Sequence, residues 1–285
     1  MDTRFLESLI TVVESGSIAA AARLQGLTAA AISQRIQALE REMDCELLSR
    51  AAHTAKPTEA CLNLMPRARK LVREAEALKG DIDSSGLSGT LRIGAISTAL
   101  TGLLPLALRR FTESAPQVKL HITPGTSQIL YDALQTETLD AAILVEPPFA
   151  VPKKLAVDRL RKEPLLLLSK AADTRSMHEI LTTEPYICYD SRSWGGRLAE
   201  QYLADKNLYP ATLCELDAPE AIQILVMEGM GATLVPSWAG LQLERNQVTV
   251  HEIEADRYQR KIVLITPFQT QRPKIIAKLK ESLLL

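Results

Sequence analysis

Apolar positions in the first 43 residues recur at helical spacing. Phe5, Leu6, Leu9, Ile10 and Val13 share one face of a helix predicted over 3–14, which stops at Ser15-Gly16. Ser17 is placed to cap a second, alanine-rich helix over 18–24. Gln25-Gly26-Leu27 reads as a tight turn, after which Thr28 caps a third helix over 29–43. Two short helices joined by a glycine-containing turn form a helix-turn-helix pattern. In the third helix Ile32, Ile36, Leu39 and Met43 make the buried stripe, while Ala30, Gln34, Gln37 and Arg41 lie opposite and Ser33 sits on the flank. The outer face is therefore small or amide-bearing near its amino end. A surface selected only for solubility more often carries Lys and Glu there.

After Met43 the pattern shortens. Two extended pieces around a basic turn, within 46–58, would make a wing. Thr58 then caps a long helix reaching about residue 82, with Leu64, Ala68, Leu71, Ala75, Leu78 and Ile82 at heptad spacing. Such a seam is expected against a partner helix, the alternative being packing on the chain's own globule. Pro66 falls inside this helix and predicts a kink or a broken first turn.

Ser84-Ser85-Gly86-Leu87-Ser88-Gly89 is a flexible linker by composition. Beyond it, strands and helices alternate: strand 91–96, helix to 113, strand 118–123, helix 127–136, strand 141–145. This order implies a parallel sheet with right-handed crossovers. Pro147-Pro148 ends the first set. A second set reads as strands 165–168, 186–189, 212–216, 232–235 and 261–266, with helices 194–206 and 219–228, and a last helix opened by Pro273.

Composition narrows the class without naming a partner. The chain has 285 residues, 46% hydrophobic and 24% charged, enough for ordinary cores. No apolar run is long enough for a membrane span, and the start, with Asp2, Arg4 and Glu7, does not read as a signal peptide; a cytoplasmic location is the expectation. The net charge of −1 leaves no global basic footprint. Locally, Arg50, His53 and Lys56 mark the wing, and Arg67, Arg69, Lys70 and Arg73 mark the long helix, with no acid among them. Cys45, Cys61, Cys188 and Cys214 lack C-x-x-C spacing, so buried thiols are expected, with a Cys188–Cys214 redox pair as the alternative.

No catalytic constellation is visible. The four histidines are scattered, and nucleophile-elbow, phosphate-loop and metalloprotease motifs are missing. Neither a cofactor nor a metal is expected. Gly229-Met230-Gly231 follows a helix and precedes a strand, the wrong order for a dinucleotide loop, and reads as a helix end. Three polar strand-to-helix junctions are more informative: Ser97-Thr98, Gly125-Thr126-Ser127 and 190–196, which includes Trp194. Each alone reads as a helix cap. Together, at the carboxyl ends of strands, they point to a ligand cleft.

The segment 5–50, followed by Pro57-Thr58-Glu59-Ala60, resembles the amino-terminal signature of LysR-type transcriptional regulators. Ser15-Gly16-Ser17, Ala21-Ala22, Leu24, Ile32-Ser33, Ile36 and Leu39-Glu40 carry the likeness, and 226–236 is similar to a strip of that family's carboxyl domain. The resemblance implies an α+β multidomain chain: an all-α winged helix-turn-helix (1–58), a linker and dimerisation helix with hinge (59–89), and an α/β two-lobed periplasmic-binding-protein-like effector domain (90–285). Lobe I is expected at about 90–160 and 266–285 and lobe II at 161–265, with crossings near 159–163 and 265–268.

By the same resemblance, homodimers paired into homotetramers bind and bend double-stranded promoter DNA. A small, often anionic effector alters that bend and the contacts with RNA polymerase. The DNA contacts carried over are Thr28, Ala30, Ser33, Gln34, Arg35, Gln37, Arg50 and Lys56. The effector contacts are Ser97, Thr98, Thr126, Ser127, Trp194 and Gly196, where Trp194 would cover an apolar part of the ligand. Ala29-Ala30 stands where the family often has Gln-Pro, and Cys61 where it has glycine, so the target sequence departs from the common pattern. The competing readings are a small-molecule-binding protein, or an enzyme with Cys188 as nucleophile, using the same cleft without DNA.

Overall fold

The computed structural model describes residues 2–49, 55–81, 83, 85–243, 247–253 and 256–284, apart from the side chains of 77 and 79–81. The chain divides into two compact units, Met1–Gly89 and Thr90–Leu285. In the first, α1 (Thr3–Ser15), α2 (Ile18–Gln25) and α3 (Ala29–Met43) precede β1 (Leu48–Ser49), β2 (Lys56–Pro57) and α4 (Glu59–Asp81). Side chains of Asp2, Ser17 and Thr28 accept from the backbone N–H of Arg4, Ala20 and Ala31. Each pairs an N–H that has no partner within its helix, a contribution of about 1 kcal/mol. Gly26 ends α2 with φ +64°, a left-handed turn that glycine adopts without a Cβ clash. β1 and β2 pair antiparallel, Leu48 opposite Pro57. Arg50 and His53, expected in the wing, lie outside the described residues.

Leu6, Leu9, Val12, Ile32, Ile36 and Leu39 form one core with Cys61, Met65, Ala68 and Val72 of α4. The expected seam is therefore split. Ala68 belongs to the face that packs on this unit itself. Leu71 and Leu78 remain 41% and 64% exposed, and Ile82 is outside the described residues. Pro66 does not break the first turn, since α4 runs continuously from Glu59 through Pro66.

The second unit holds β3 (Gly89–Ala95), α5 (Ser97–Thr101), α6 (Leu104–Ser114), β4 (Val118–Pro124), α7 (Ser127–Gln135), β5 (Ala141–Val145), β6 (Leu155–Lys170), α8 (Met177–Thr183), β7 (Tyr186–Tyr189), α9 (Arg197–Asp205), β8 (Thr212–Leu216), α10 (Pro219–Met227), β9 (Thr233–Pro236), β10 (Val248–Glu252), β11 (Gln259–Pro267) and α11 (Pro273–Leu284). The main sheet runs β10-β6-β11-β5-β3-β4, with β9 also on β6. β3 and β5 are parallel as expected, but β11 joins antiparallel to both β5 and β6.

β6 is one long strand. Its first half pairs with β11 in the first lobe, and its second half pairs with β9 and β10 in the second. Only the apolar run 165–168 was legible as strand. The first half bears Asp158, Arg159, Arg161 and Lys162 and shows no apolar face. The return crossing also sits earlier than expected. Ile262–Ile265 already pair with β5, so the chain re-enters the first lobe at about 259–261, opposite Lys162, Glu163 and Pro164, rather than at 265–268. The helix expected from 194 starts at Arg197, leaving Trp194 in a turn.

Candidate DNA-facing surface and effector cleft

α3 separates its polar side chains into two groups. Ala30, Gln34, Gln37 and Arg41 are exposed on the side opposite Ile32, Ile36 and Leu39. Lys56 is exposed on β2. Thr28 is exposed, but its hydroxyl accepts from Ala31 N–H at 3.1 Å. Ser33 donates to the Ala29 carbonyl at 2.9 Å from the flank. Arg35 turns the other way: its guanidinium donates to the Ser8 hydroxyl at 3.1 Å. Ser8 in turn donates to Gln25 Oε1 at 2.8 Å, and Gln25 Nε2 donates to Thr11 at 2.8 Å. Arg35 is thus drawn into a network tying α1, α2 and α3, and is not grouped with Gln34 and Gln37. Glu40, valued in the sequence only as part of a signature, accepts from the N–H groups of Leu47 and Leu48 at 2.9 and 3.2 Å, which fixes the start of the wing.

In the second unit a cavity of 620 Å³ opens between the lobes. Ser97, Thr98, Thr126, Ser127 and Trp194 all line it. Gly196 does not: it is buried, and a Cβ there would meet the Asp190 carbonyl oxygen at 2.0 Å. Glycine at that position serves a close backbone approach, and the neighbouring Gly195 faces the cavity instead. Ser127 is partly committed to the fold, its Oγ accepting from Val145 N–H at 3.2 Å. Trp194 is buried edge-on against Tyr131 of α7 and Phe149, with ring centroids 5.8 and 5.5 Å away. The three rings form one edge-to-face cluster, of which Trp194 lines the cavity.

Arg260 lies beneath the cavity. It is 2% exposed and donates to Glu163 Oε2 at 2.5 Å, to the Tyr189 hydroxyl at 3.3 Å and to Thr98 Oγ1 at 2.8 Å. Arg260 and Glu163 are direct cross-strand partners where β6 and β11 pass between the lobes. One buried cation therefore holds a first-lobe hydroxyl, a second-lobe phenol and the crossing strands together.

The charges that face the cavity come from the second lobe. Asp190 is bound by Arg192, Nε to Oδ1 at 3.0 Å, and this guanidinium holds its carboxyl below the usual range. Asp217 lines the cavity and has no ion-pair partner among the described residues. Desolvation by the surrounding cleft walls pushes its carboxyl up. Asp190 and Glu220 add to that, while the Ser193 hydroxyl and Arg260 oppose it. Glu220 accepts from Ser97 at 3.1 Å and from Thr101 at 3.4 Å. Asp190 belongs to the junction 190–196 picked from the sequence; Asp217 and Glu220 were missed, although Asp217 follows a strand and precedes a helix just as the three chosen junctions do.

The redox alternative for Cys188 and Cys214 finds no geometric support. Cys188 packs with Tyr186 and Leu203 on one face of β7–β8, and Cys214 packs with Ile187 and Leu216 on the other. Burial, with Glu215, Asp190 and Glu200 nearby, pushes the Cys188 thiol up to about 11, which disfavours the thiolate a nucleophile needs. Among the described residues no helix is long and apolar enough to cross a membrane.

A winged helix-turn-helix unit followed by a two-lobed unit with an interlobe cavity defines a ligand-responsive DNA-binding regulator. Residues 3–62 match "Bacterial regulatory helix-turn-helix protein, lysR family", and residues 84–284 match "LysR substrate binding domain". The chain belongs to the LysR family, whose members are transcriptional regulators and not enzymes. It is 28% identical over 256 residues to the HTH-type transcriptional regulator CzcR of Bacillus cereus, covering 89% of this chain and 86% of that one. It is also 28% identical over 245 residues to ClcR of Pseudomonas putida, covering 83% of each. Its fold matches a full-length OxyR variant from Pseudomonas aeruginosa at a TM-score of 0.74 and 21% identity, covering 100% and 95% of the two chains. Full-length CbnR complexed with its target DNA matches at 0.71 and 21%, covering 99% of each.

Proposed function

We propose that α3 enters the major groove of promoter DNA with Gln34 and Gln37 toward the base edges. Ala30 contributes at most apolar contact, with Thr28, Ser33 and Lys56 at the backbone; Arg50, outside the described residues, is the remaining contact that the family resemblance implies. The observation that carries this reading is the exposed, amide-bearing strip opposite Ile32, Ile36 and Leu39. A glutamine side chain can bond an adenine edge bidentately, whereas the Ser8-bound Arg35 serves the fold in the absence of DNA. Exposed Leu71 and Leu78 on α4 supply the apolar row for a homodimer, and pairs of dimers would form a tetramer that bends the DNA. A small molecule in the interlobe cavity controls that bend and the contact with RNA polymerase. Its anionic group, where present, would meet the Thr126 hydroxyl and the amino end of α7.

The test is a mobility-shift titration with DNA adjacent to the protein's own gene, repeated over a salt series. Affinity falls as salt rises, because phosphate contacts release counterions. Ser33→Ala with Gln34→Ala lowers site-specific affinity by about 1–3 kcal/mol for each base edge no longer read. An unchanged footprint from the double variant would remove α3 from the interface.

A further inference from the structure

The cleft's charge identifies its ligand more narrowly than its hydroxyls do. Three carboxylates gather on the second-lobe side: Asp190, Asp217 and Glu220, the last two in electrostatic contact with each other. The nearby cations are already engaged. Arg192, which lines the cavity from a largely exposed position, is bound to Asp190, and buried Arg260 is bound to Glu163. The first-lobe wall, from Ile96 to Thr98, from Pro124 to Gln128 and at Val145, brings no charged side chain to the cavity. Asp217 lines the cavity and Glu220 borders it through Ser97, both with hydroxyl donors but, among the described residues, no ion-pair partner. Asp217 is exposed to the cavity and Glu220 half-buried beside it, so their negative charge stands open to a cation that enters the cleft. A metal ion does not fit, because no group of three or more His, Cys, Asp or Glu able to hold one occurs among the described residues.

We propose that the effector is a small organic molecule carrying a protonated amine, which pairs with Asp217 and is flanked by Glu220. Its carbon skeleton lies along Ile96, Pro124, Val145 and the Trp194 edge. A carboxylate on the same molecule can reach the Thr126 end of the cleft, so an amino-acid-like zwitterion or a simple amine fits, and a pure anion does not. This inference rests on the cleft being the effector site. It adds that Glu220, bonded to Ser97 and Thr101, is the group an arriving ammonium would draw away from the first lobe.

The full-length protein is titrated calorimetrically with three sets of probes of matched size: primary amines and diamines, the standard L-amino acids, and mono- and dicarboxylates without nitrogen. At least one amine-bearing probe should bind, and Asp217→Asn should weaken it about tenfold or more, as expected for removal of a charge-assisted bond. Glu220→Gln should weaken it less. Binding by carboxylates alone, with Asp217→Asn neutral or beneficial, overturns the charge assignment and leaves the cleft as effector site intact. Failure of every amine-bearing probe to bind also overturns it. If amines bind through Asp217 yet leave promoter affinity and footprint unchanged, the charge assignment stands and the regulatory role of the cleft fails.

Discussion

Gln34 and Gln37 sit on the outer side of α3, and among the described residues their side chains make no hydrogen bond to the fold. On the same helix, Arg35 is committed to the network of Ser8, Gln25 and Thr11. In the first unit, then, the glutamines proposed to read bases and the side chains that tie α1, α2 and α3 together are different residues. The second unit merges the two tasks. Thr98 and Tyr189 line the cavity and also bind the buried Arg260, which is paired to Glu163 at the strand crossing. In the cleft, wall residues are bonded directly to the strands that cross between the lobes.

Arg260 is where this contrast breaks most easily. Arg260→Met leaves buried Glu163 with only the longer 3.7 Å contact to the half-exposed Arg161, and destabilises the second unit by up to about 3–5 kcal/mol. Replacing both partners, Arg260→Met with Glu163→Leu, should recover most of that loss. Urea unfolding followed by tryptophan fluorescence reads this unit alone, since Trp194 and Trp238 are the chain's two tryptophans. Equal stability of the single variant and the parent would show that the cleft wall is not tied to the crossing.

A smaller effect sharpens the first half of the contrast. Ser8→Ala strands polar groups of Arg35 and Gln25 in a part-buried site and costs about 1–3 kcal/mol. Gln37→Ala, on the exposed face, changes stability by no more than about 0.5 kcal/mol. Thermal melts by far-ultraviolet circular dichroism at one protein concentration distinguish the two. Similar losses from both would mean that the outer face also carries the fold.

The smallest effect concerns pH. Asp217 has a raised pKa in the folded chain, so the native state binds its proton more readily than the unfolded state. Its ionised form costs stability above the ordinary carboxylate range, and that cost disappears as pH falls through the folded value. Asp217→Asn should therefore melt slightly higher than the parent at neutral pH, and the gap should close in acid. A gap that widens in acid would reverse the assignment.

What the sequence revealed follows the same division. The helices of the first unit and the polar strip of α3 follow from one regular period, so residue spacing alone groups Ala30, Gln34 and Gln37. Spacing could not show that Arg35 folds back, because the Ser8 hydroxyl it meets lies 27 residues earlier in the chain. The cleft draws on junctions after β3, β4, β7 and β8. Three were recognisable by their hydroxyls and glycines, which suggested an anion. Asp217 and Glu220 went unremarked beside a predicted helix start, and the Glu163–Arg260 pair, 97 residues apart, has no local signature. The heptad row of α4 misled for a related reason. One helix carries two apolar rows, and only packing shows that Ala68 belongs with Met65 and Val72 against the unit's own core.

The most direct measurement is a specificity ratio. Fluorescence anisotropy of the full chain on its own promoter duplex and on a scrambled duplex, at one fixed salt concentration, compares the parent with Gln34→Ala plus Gln37→Ala. The ratio should collapse by about 1–3 kcal/mol for each amide–base pairing removed, while affinity for the scrambled duplex stays as it was. A ratio identical in parent and variant would contradict the placement of α3 in the groove.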